Sequence, residues 1–234
     1  MDLLINSDSE NYRKFFKHVS PPLAASIAII PTFYGFALKS ARQLGDTSFH
    51  LTYRQSIKEG VKAAPINGII VGTQLIAQNF LEGQFEKDNH ASIVISSLIV
   101  GGVSAPAYAI FNGQTMGKTA RESLKNFSKY QALSIMFRET CFLFSLRISG
   151  PLNQKFKESY GENKVIKVAT IFFTGSFGGI MTHPLDTYLT CLQKNVKVEN
   201  VSHSLRGIIP RSFTVGSFAV CYNLLKEFFD LIVK

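Results

Sequence analysis

Charge is scarce in this sequence. Only 18% of its 234 residues are charged against 46% hydrophobic, leaner in charge than soluble globular chains, which moves the expectation toward a membrane. The mean hydropathy of only +0.12 also excludes a bundle of featureless apolar spans, so membrane helices here must carry polar residues on faces turned toward a water-lined interior. No run of five or more like charges and no aromatic-interleaved basic patch occurs, so the net charge of +9 does not point to nucleic acid. Cysteine is rare: Cys141, Cys191 and Cys221 stand 50 and 30 residues apart, which is no zinc spacing and leaves an odd thiol if two were paired. They read as small buried apolar residues. No cleavable leader is expected either, since residues 1–10 hold Asp2, Asp8 and Glu10, while Arg13, Lys14 and Lys17 come too late and too close to a long apolar stretch. Targeting is expected to be internal.

Catalytic patterns are missing too. His18, His50, His90, His183 and His203 are scattered and none pairs at helical metal spacing. His183, beside Pro184, reads as an ordinary buried histidine. The segment from Gly113 to Thr119 has three residues between its glycines where a phosphate-binding loop needs four, and it follows a helix end instead of a strand. No enzyme, no metal and no cofactor is expected.

What the sequence does contain is six mostly apolar stretches, at 20–38, 63–80, 91–111, 132–148, 168–192 and 207–233. Each is near or above the roughly 17–25 residues that a helix needs to cross a bilayer. The fourth is the most polar, with Arg138, Glu139 and Arg147, and requires a partner or a polar cavity. Basic residues favour one side. Lys39, Arg42, Arg54, Lys58 and Lys62 follow the first stretch; Lys118, Arg121, Lys125, Lys129 and Arg138 follow the third; Lys194, Lys197, Arg206 and Arg211 follow the fifth. The opposite loops hold Lys87 in one, which is net acidic through Glu82, Glu86 and Asp88, and Lys155, Lys157, Lys164 and Lys167 in the other. The basic loops are expected to face a cytosol-like, negative compartment, with both termini on the other side.

Three segments align around a proline: Ile30-Pro31-Thr32-Phe33-Tyr34, Ala105-Pro106-Ala107-Tyr108-Ala109 and His183-Pro184-Leu185-Asp186-Thr187. Their spacings of 75 and 78 residues predict one span–basic loop–span unit used three times. The expected layout is an N-terminal segment at 1–19 and repeats at 20–88, 89–164 and 165–234. Proline removes a backbone donor and frees a carbonyl, tolerable in a membrane where neighbours or water satisfy it. Kinks at Pro31, Pro106 and Pro184 would let three helices converge and close one end of a cavity. Ala24, Ala25, Gly101, Gly102, Gly175, Gly178 and Gly179 precede the prolines and let backbones approach where lipid offers no drive to association.

The third unit resembles a mitochondrial carrier repeat. Gly178 to Gln193, with Pro184, Asp186 two residues on and Gln193 nine residues on, is similar to the end of that family's odd helix. Leu205-Arg206-Gly207-Ile208-Ile209-Pro210-Arg211, followed by Tyr222-Asn223-Leu224-Leu225-Lys226, is similar to the even helix, with Asn223 where the family has an acid. Gly60 to Gly68 resembles the start of the second helix, and Phe137-Arg138-Glu139-Thr140 the substrate contact of the fourth. The resemblance implies an all-α membrane protein of six transmembrane helices, three pseudo-symmetric pairs around a central cavity, monomeric among membrane lipids, in the mitochondrial inner membrane with the outer membrane as the alternative. It also implies exchange of a small charged solute through one central site.

The implied substrate contacts are Arg138, Glu139 and Arg211, with Asn67, Gln74 and Gln78 as further polar groups; an alternative alignment gives the place of Arg211 to Thr214. An Arg-Glu pair at that contact goes, in the family, with amino acids and related cationic metabolites. Neighbouring residues diverge by about 100° around a helix, so Arg138 and Glu139 are expected to present a base and an acid separately. The sequence also departs from the family. Its gate takes an acid two residues after each proline and a base five after; here those places hold Phe33 and Phe36, Tyr108 and Phe111, Asp186 and Leu189. Asp186 must take a proton, meet Arg211 or another base, face water, or cap the backbone freed by Pro184. The aromatic pairs would form a hydrophobic plug. Shortened basic loops, only eleven residues at 194–204, put the family's surface loop helix in doubt. Two rivals stand beside the transporter: a carrier homologue that kept the fold and lost its gates, acting as receptor, scaffold or morphology factor, and a soluble helical protein with a large apolar core.

Overall fold

A computed structural model describes residues 2–82, 90–125, 127–161 and 163–232, and these are all-helical with no strand. Glu86, Lys87 and Asp88, and the Gln78 and Arg147 side chains, lie outside what is described. Six long helices carry the architecture: α1 (Asp2–Gln43), α2 (Tyr53–Glu82), α3 (His90–Gln114), α5 (Lys129–Tyr160), α6 (Lys164–Met181) with its continuation α7 (His183–Lys194), and α9 (Ile208–Ile232). Two single turns, α4 (Ala120–Lys125) and α8 (Val201–Ser204), lie in the second and third basic loops. Two of the three basic loops thus contain a short helix. Each long helix packs against the next in sequence, and α9 returns to pack against α1, so the helices close a ring.

Among the described residues, three helices are long and apolar enough to cross a membrane: His18–Gln43 within α1, Ile95–Gln114 within α3, and Lys164–Met181. The remaining long helices, α2, α5 and α9, carry charged residues such as Lys58, Glu59, Arg138, Glu139, Lys226 and Asp230. Of the six expected spans, then, three pass on length and composition. Helix α5 runs 32 residues, well past the 132–148 stretch.

Beside its apolar core clusters the interior holds charged and polar side chains, and large apolar side chains line the outside. Lys39, Gln43, Asn112, Arg138, Glu139, Asp186 and Arg211 are buried, while Leu23, Ile27 and Tyr34 on α1, Ile95, Ile99 and Val103 on α3, and Ile69, Ile76 and Phe80 on α2 are exposed. These exposed residues recur at helical spacing and give each helix an apolar outer stripe.

Small residues set the closest approaches. A Cβ on Gly216 of α9 would lie 2.7 Å from the Phe172 carbonyl of α6, and one on Gly60 would lie 2.8 Å from the Ile30 carbonyl of α1. Only glycine lets these backbones touch.

The fifth stretch, expected as one span at 168–192, is two helices. α6 ends at Met181 and α7 begins at His183, with Thr182 between them at φ −91° and ψ −1°. Pro184 cannot donate to Ile180, so the break falls where the missing hydrogen bond would be, and proline sits in the first turn of α7, where no donor is needed. Pro31 and Pro106, in contrast, lie inside continuous helices. All three prolines are on exposed faces.

Candidate functional site

The break at Thr182 places Asp186 in the first turn of α7, where the helix dipole favours a carboxylate. The side chain points into the ring and is almost wholly buried. Its Oδ2 accepts from Lys39 Nζ of α1 at 2.7 Å and from Gln43 Nε2 at 3.0 Å. Its Oδ1 accepts from Arg138 Nη1 of α5 at 2.8 Å and pairs with Arg211 Nη1 of α9. One carboxylate therefore joins three cations from three helices. Of the fates open to Asp186, the structure selects pairing with bases; the carboxylate does not cap the backbone freed by Pro184.

Each cation has a second anchor. Arg211 donates through Nε to the Gly179 carbonyl in the last turn of α6 at 2.9 Å, and through Nη2 to Thr182 Oγ1 at 2.6 Å. Lys39 Nζ donates to Asn112 Oδ1 of α3 at 3.1 Å. Arg138 donates to Glu139 Oε1, with Nε and Nη2 each at 3.0 Å, and its guanidinium lies 4.5 Å from the Tyr108 ring centroid. Buried ion pairs hold only when such bonds fill the remaining donors and acceptors, because desolvation costs several kcal/mol per ion.

The Arg138–Glu139 contact corrects the expectation that the two diverge. Their stems leave the helix in different directions, but the long arginine side chain bends back, because an unpaired carboxylate buried at Glu139 would cost more than the bend. Gln74 of α2 donates to Glu139 Oε2 at 3.2 Å and lies 3.4 Å from the Tyr108 hydroxyl. Every long helix thus contributes to one polar axis.

A second polar layer lies on the basic-loop side. Asn112 Nδ2 donates to Gln193 Oε1 at 2.8 Å, Gln193 Nε2 to the Ala109 carbonyl at 2.8 Å, and Thr190 Oγ1 to Gln43 Oε1 at 2.8 Å. Ser40 and Thr115 hydroxyls meet at 2.7 Å. Lys118, just past α3, donates to the Gln193 carbonyl, and its amine is pushed below the ordinary lysine range by burial and by the neighbouring Lys194 charge. Beside this layer Phe36 stacks edge-on against Phe111 at 5.4 Å and against Phe218 at 6.3 Å, with Leu189 fully buried.

Of the residues singled out in the sequence, Arg138, Glu139, Arg211 and Asp186 converge, with Gln74 and Gln193 at their edges. Between the two alignments for the third contact, Arg211 reaches the cluster, while Thr214 bonds back to the Pro210 carbonyl. Asn67 stands apart, donating to the Ala25 carbonyl at 2.8 Å and pinning α2 to α1. His183 is buried, with Nε2 3.0 Å from the Arg206 carbonyl. Lys39, Gln43 and Asn112 were not singled out. Lys39 reads as a loop cation, yet it stands four residues before Gln43, and this pair extends the helix face one turn beyond the apolar run.

Compared with models of known protein families, with curated proteins and with solved structures, the chain matches none.

Proposed function

We propose that the chain is a multi-pass membrane carrier of a small charged solute, built as three pseudo-equivalent helix pairs around one central path. The Asp186 cluster is its closed gate on the basic-loop side. The observation that carries this is the convergence on Asp186 of Lys39, Arg138 and Arg211 from three separate helices, inside a ring whose outer surface is apolar. A permanent core has little reason to route its charges to a single acid on the axis, whereas a gate needs one point at which several helices part together.

Positional equivalence supports the threefold plan. The residues nine after each proline are Ser40, Thr115 and Gln193, and all three lie in the same polar layer. Those five after are Phe36, Phe111 and Leu189, an aromatic and aliphatic plug in place of ionic partners. The likeness to mitochondrial carriers, and with it a mitochondrial inner-membrane location, rests on these positions and on the third-unit motif. Opening separates Asp186 from its cations, and solute contacts to Arg138, Glu139 and Arg211 must replace what is lost, since a ligand shifts an equilibrium only by its differential affinity for the two states.

One observation favours a second reading, a non-transporting homologue acting as receptor or scaffold: the Asp186 carboxylate is saturated with donors and shielded from solvent, as a permanent lock would be. Reconstitution into liposomes separates the two. The carrier gives saturable, Arg138-dependent uptake from a screen of amino acids, nucleotides and carboxylates; absence of any uptake leaves the scaffold. Release of the protein from membranes by alkaline carbonate would refute both.

A further inference from the structure

The buried charges do not balance. Among the described side chains, the buried lysines and arginines are Lys39, Arg138 and Arg211, and the buried carboxylates are Asp186 and Glu139. Three buried cations therefore face two buried anions, a surplus of one positive charge. Glu139 is already occupied by Arg138. Arg211 and Lys39 have Asp186 as their one acidic partner, and Arg138 shares it. A buried cation without its own anion is costly, and an anionic ligand would offset that cost here.

We infer that this site takes a small organic anion of net charge −1, with a carboxylate as its charged group, which balances the described cluster of buried charges around Asp186. This deepens the carrier proposal and rests on it. The two guanidinium groups of Arg138 and Arg211 converge on the same Asp186 oxygen. A ligand carboxylate arriving as Asp186 withdraws finds the Arg138 and Arg211 Nη1 donors already side by side, one charge-assisted hydrogen bond from each. The pairing of Arg138 with Glu139 argues against a cationic or zwitterionic solute. Glu139 offers no free carboxylate to an ammonium group, and the surplus on the axis repels one.

The test uses the full chain. In proteoliposomes, uptake of labelled glycerate, malate, serine and lysine is compared, giving solutes of charge −1, −2, zero and +1 at neutral pH. In detergent, thermal stability is measured with the same four solutes at matched ionic strength. Glycerate is expected to enter about tenfold faster than serine or lysine, the scale of one charge-assisted contact, and to outpace malate. Lys39→Gln removes the surplus charge and shifts preference from glycerate toward serine; Arg211→Gln, which removes the same unit from another helix, shifts it the same way and covers a failure of the first variant to fold. Uptake of serine, lysine or malate in preference to glycerate overturns the charge assignment and leaves the carrier standing. No uptake, with selective stabilisation by glycerate, keeps the anion site and overturns transport. No uptake and no selective stabilisation overturns both.

Discussion

Ser40 and Thr115 meet through their hydroxyls at 2.7 Å, and they are 75 residues apart, the spacing between Pro31 and Pro106. Thr115 spends its own proton on the Asn112 carbonyl at 2.7 Å, so Ser40 is the donor and Thr115 the acceptor between them. Equivalent positions on α1 and α3 thus touch each other across the ring. Ser40→Ala and Thr115→Val are each expected to cost about 1 kcal/mol, the usual worth of a net hydrogen bond. The double variant should cost less than their sum. Thermal unfolding of the four proteins in detergent gives the coupling, and strict additivity would mean that the contact carries no energy.

Asp186→Asn keeps the shape of the side chain and removes its charge. Lys39 and Arg211 then lose the one acidic partner they have among the described residues, so a loss of about 3–5 kcal/mol is expected, as for one-sided removal of a buried pair. Arg211→Gln should cost less, because Asp186 keeps Lys39 and Arg138. Equal or reversed costs would show that Asp186 is not the hub.

The pattern of helices, the basic loops and the proline spacing were legible because each depends on periodicity or composition, which survive in a single sequence. Arg138, Glu139, Arg211 and Asp186 were legible because a charge inside an apolar run demands a partner. The identity of the partners was not. Lys39 lies at the end of an apolar run, where a cation ordinarily reaches solvent or headgroups, and its burial depends on Asp186 arriving from a helix 147 residues away. The break at Thr182 was hidden for a related reason: Pro184 alone permits either a kink or a restart, and the choice falls to a restart where Arg211 takes the Gly179 carbonyl and Thr182 the Gly178 carbonyl. Arg138 bending back onto Glu139 is likewise a matter of rotamer and burial, which helical phase cannot settle.

Arg138 bridges two carboxylates and lies over Tyr108, a task for a planar fork. Arg138→Lys retains the charge but supplies a single point donor, so it is expected to behave nearly as badly as Arg138→Gln. Uptake in proteoliposomes should fall by about tenfold or more in both variants, by analogy with truncating one side of a buried charge pair. Recovery of wild-type uptake by lysine would reduce the role of Arg138 to charge alone.

Outside the ring, α4 begins with a reciprocal cap. Glu122 Oε2 accepts from the Thr119 amide at 2.7 Å and from its hydroxyl at 2.8 Å, while Thr119 Oγ1 accepts from the Glu122 amide at 3.2 Å. The bonds from the Thr119 backbone and hydroxyl hold the Glu122 carboxyl below its ordinary value of 4.5. The folded pKa is the lower one, so the carboxylate's contribution is present above 4.5 and is lost as pH falls through the folded value. Hydrogen exchange at the amides of Thr119 and Glu122 should therefore stay slow near neutrality and accelerate only below that point, beyond the intrinsic pH trend. Glu122→Gln, which keeps an acceptor oxygen and cannot titrate, should abolish the acid-dependent step while leaving protection near neutrality only modestly reduced. If the variant showed the same acid step as the native chain, the step would belong to another group, and the cap would be a passive feature of the turn.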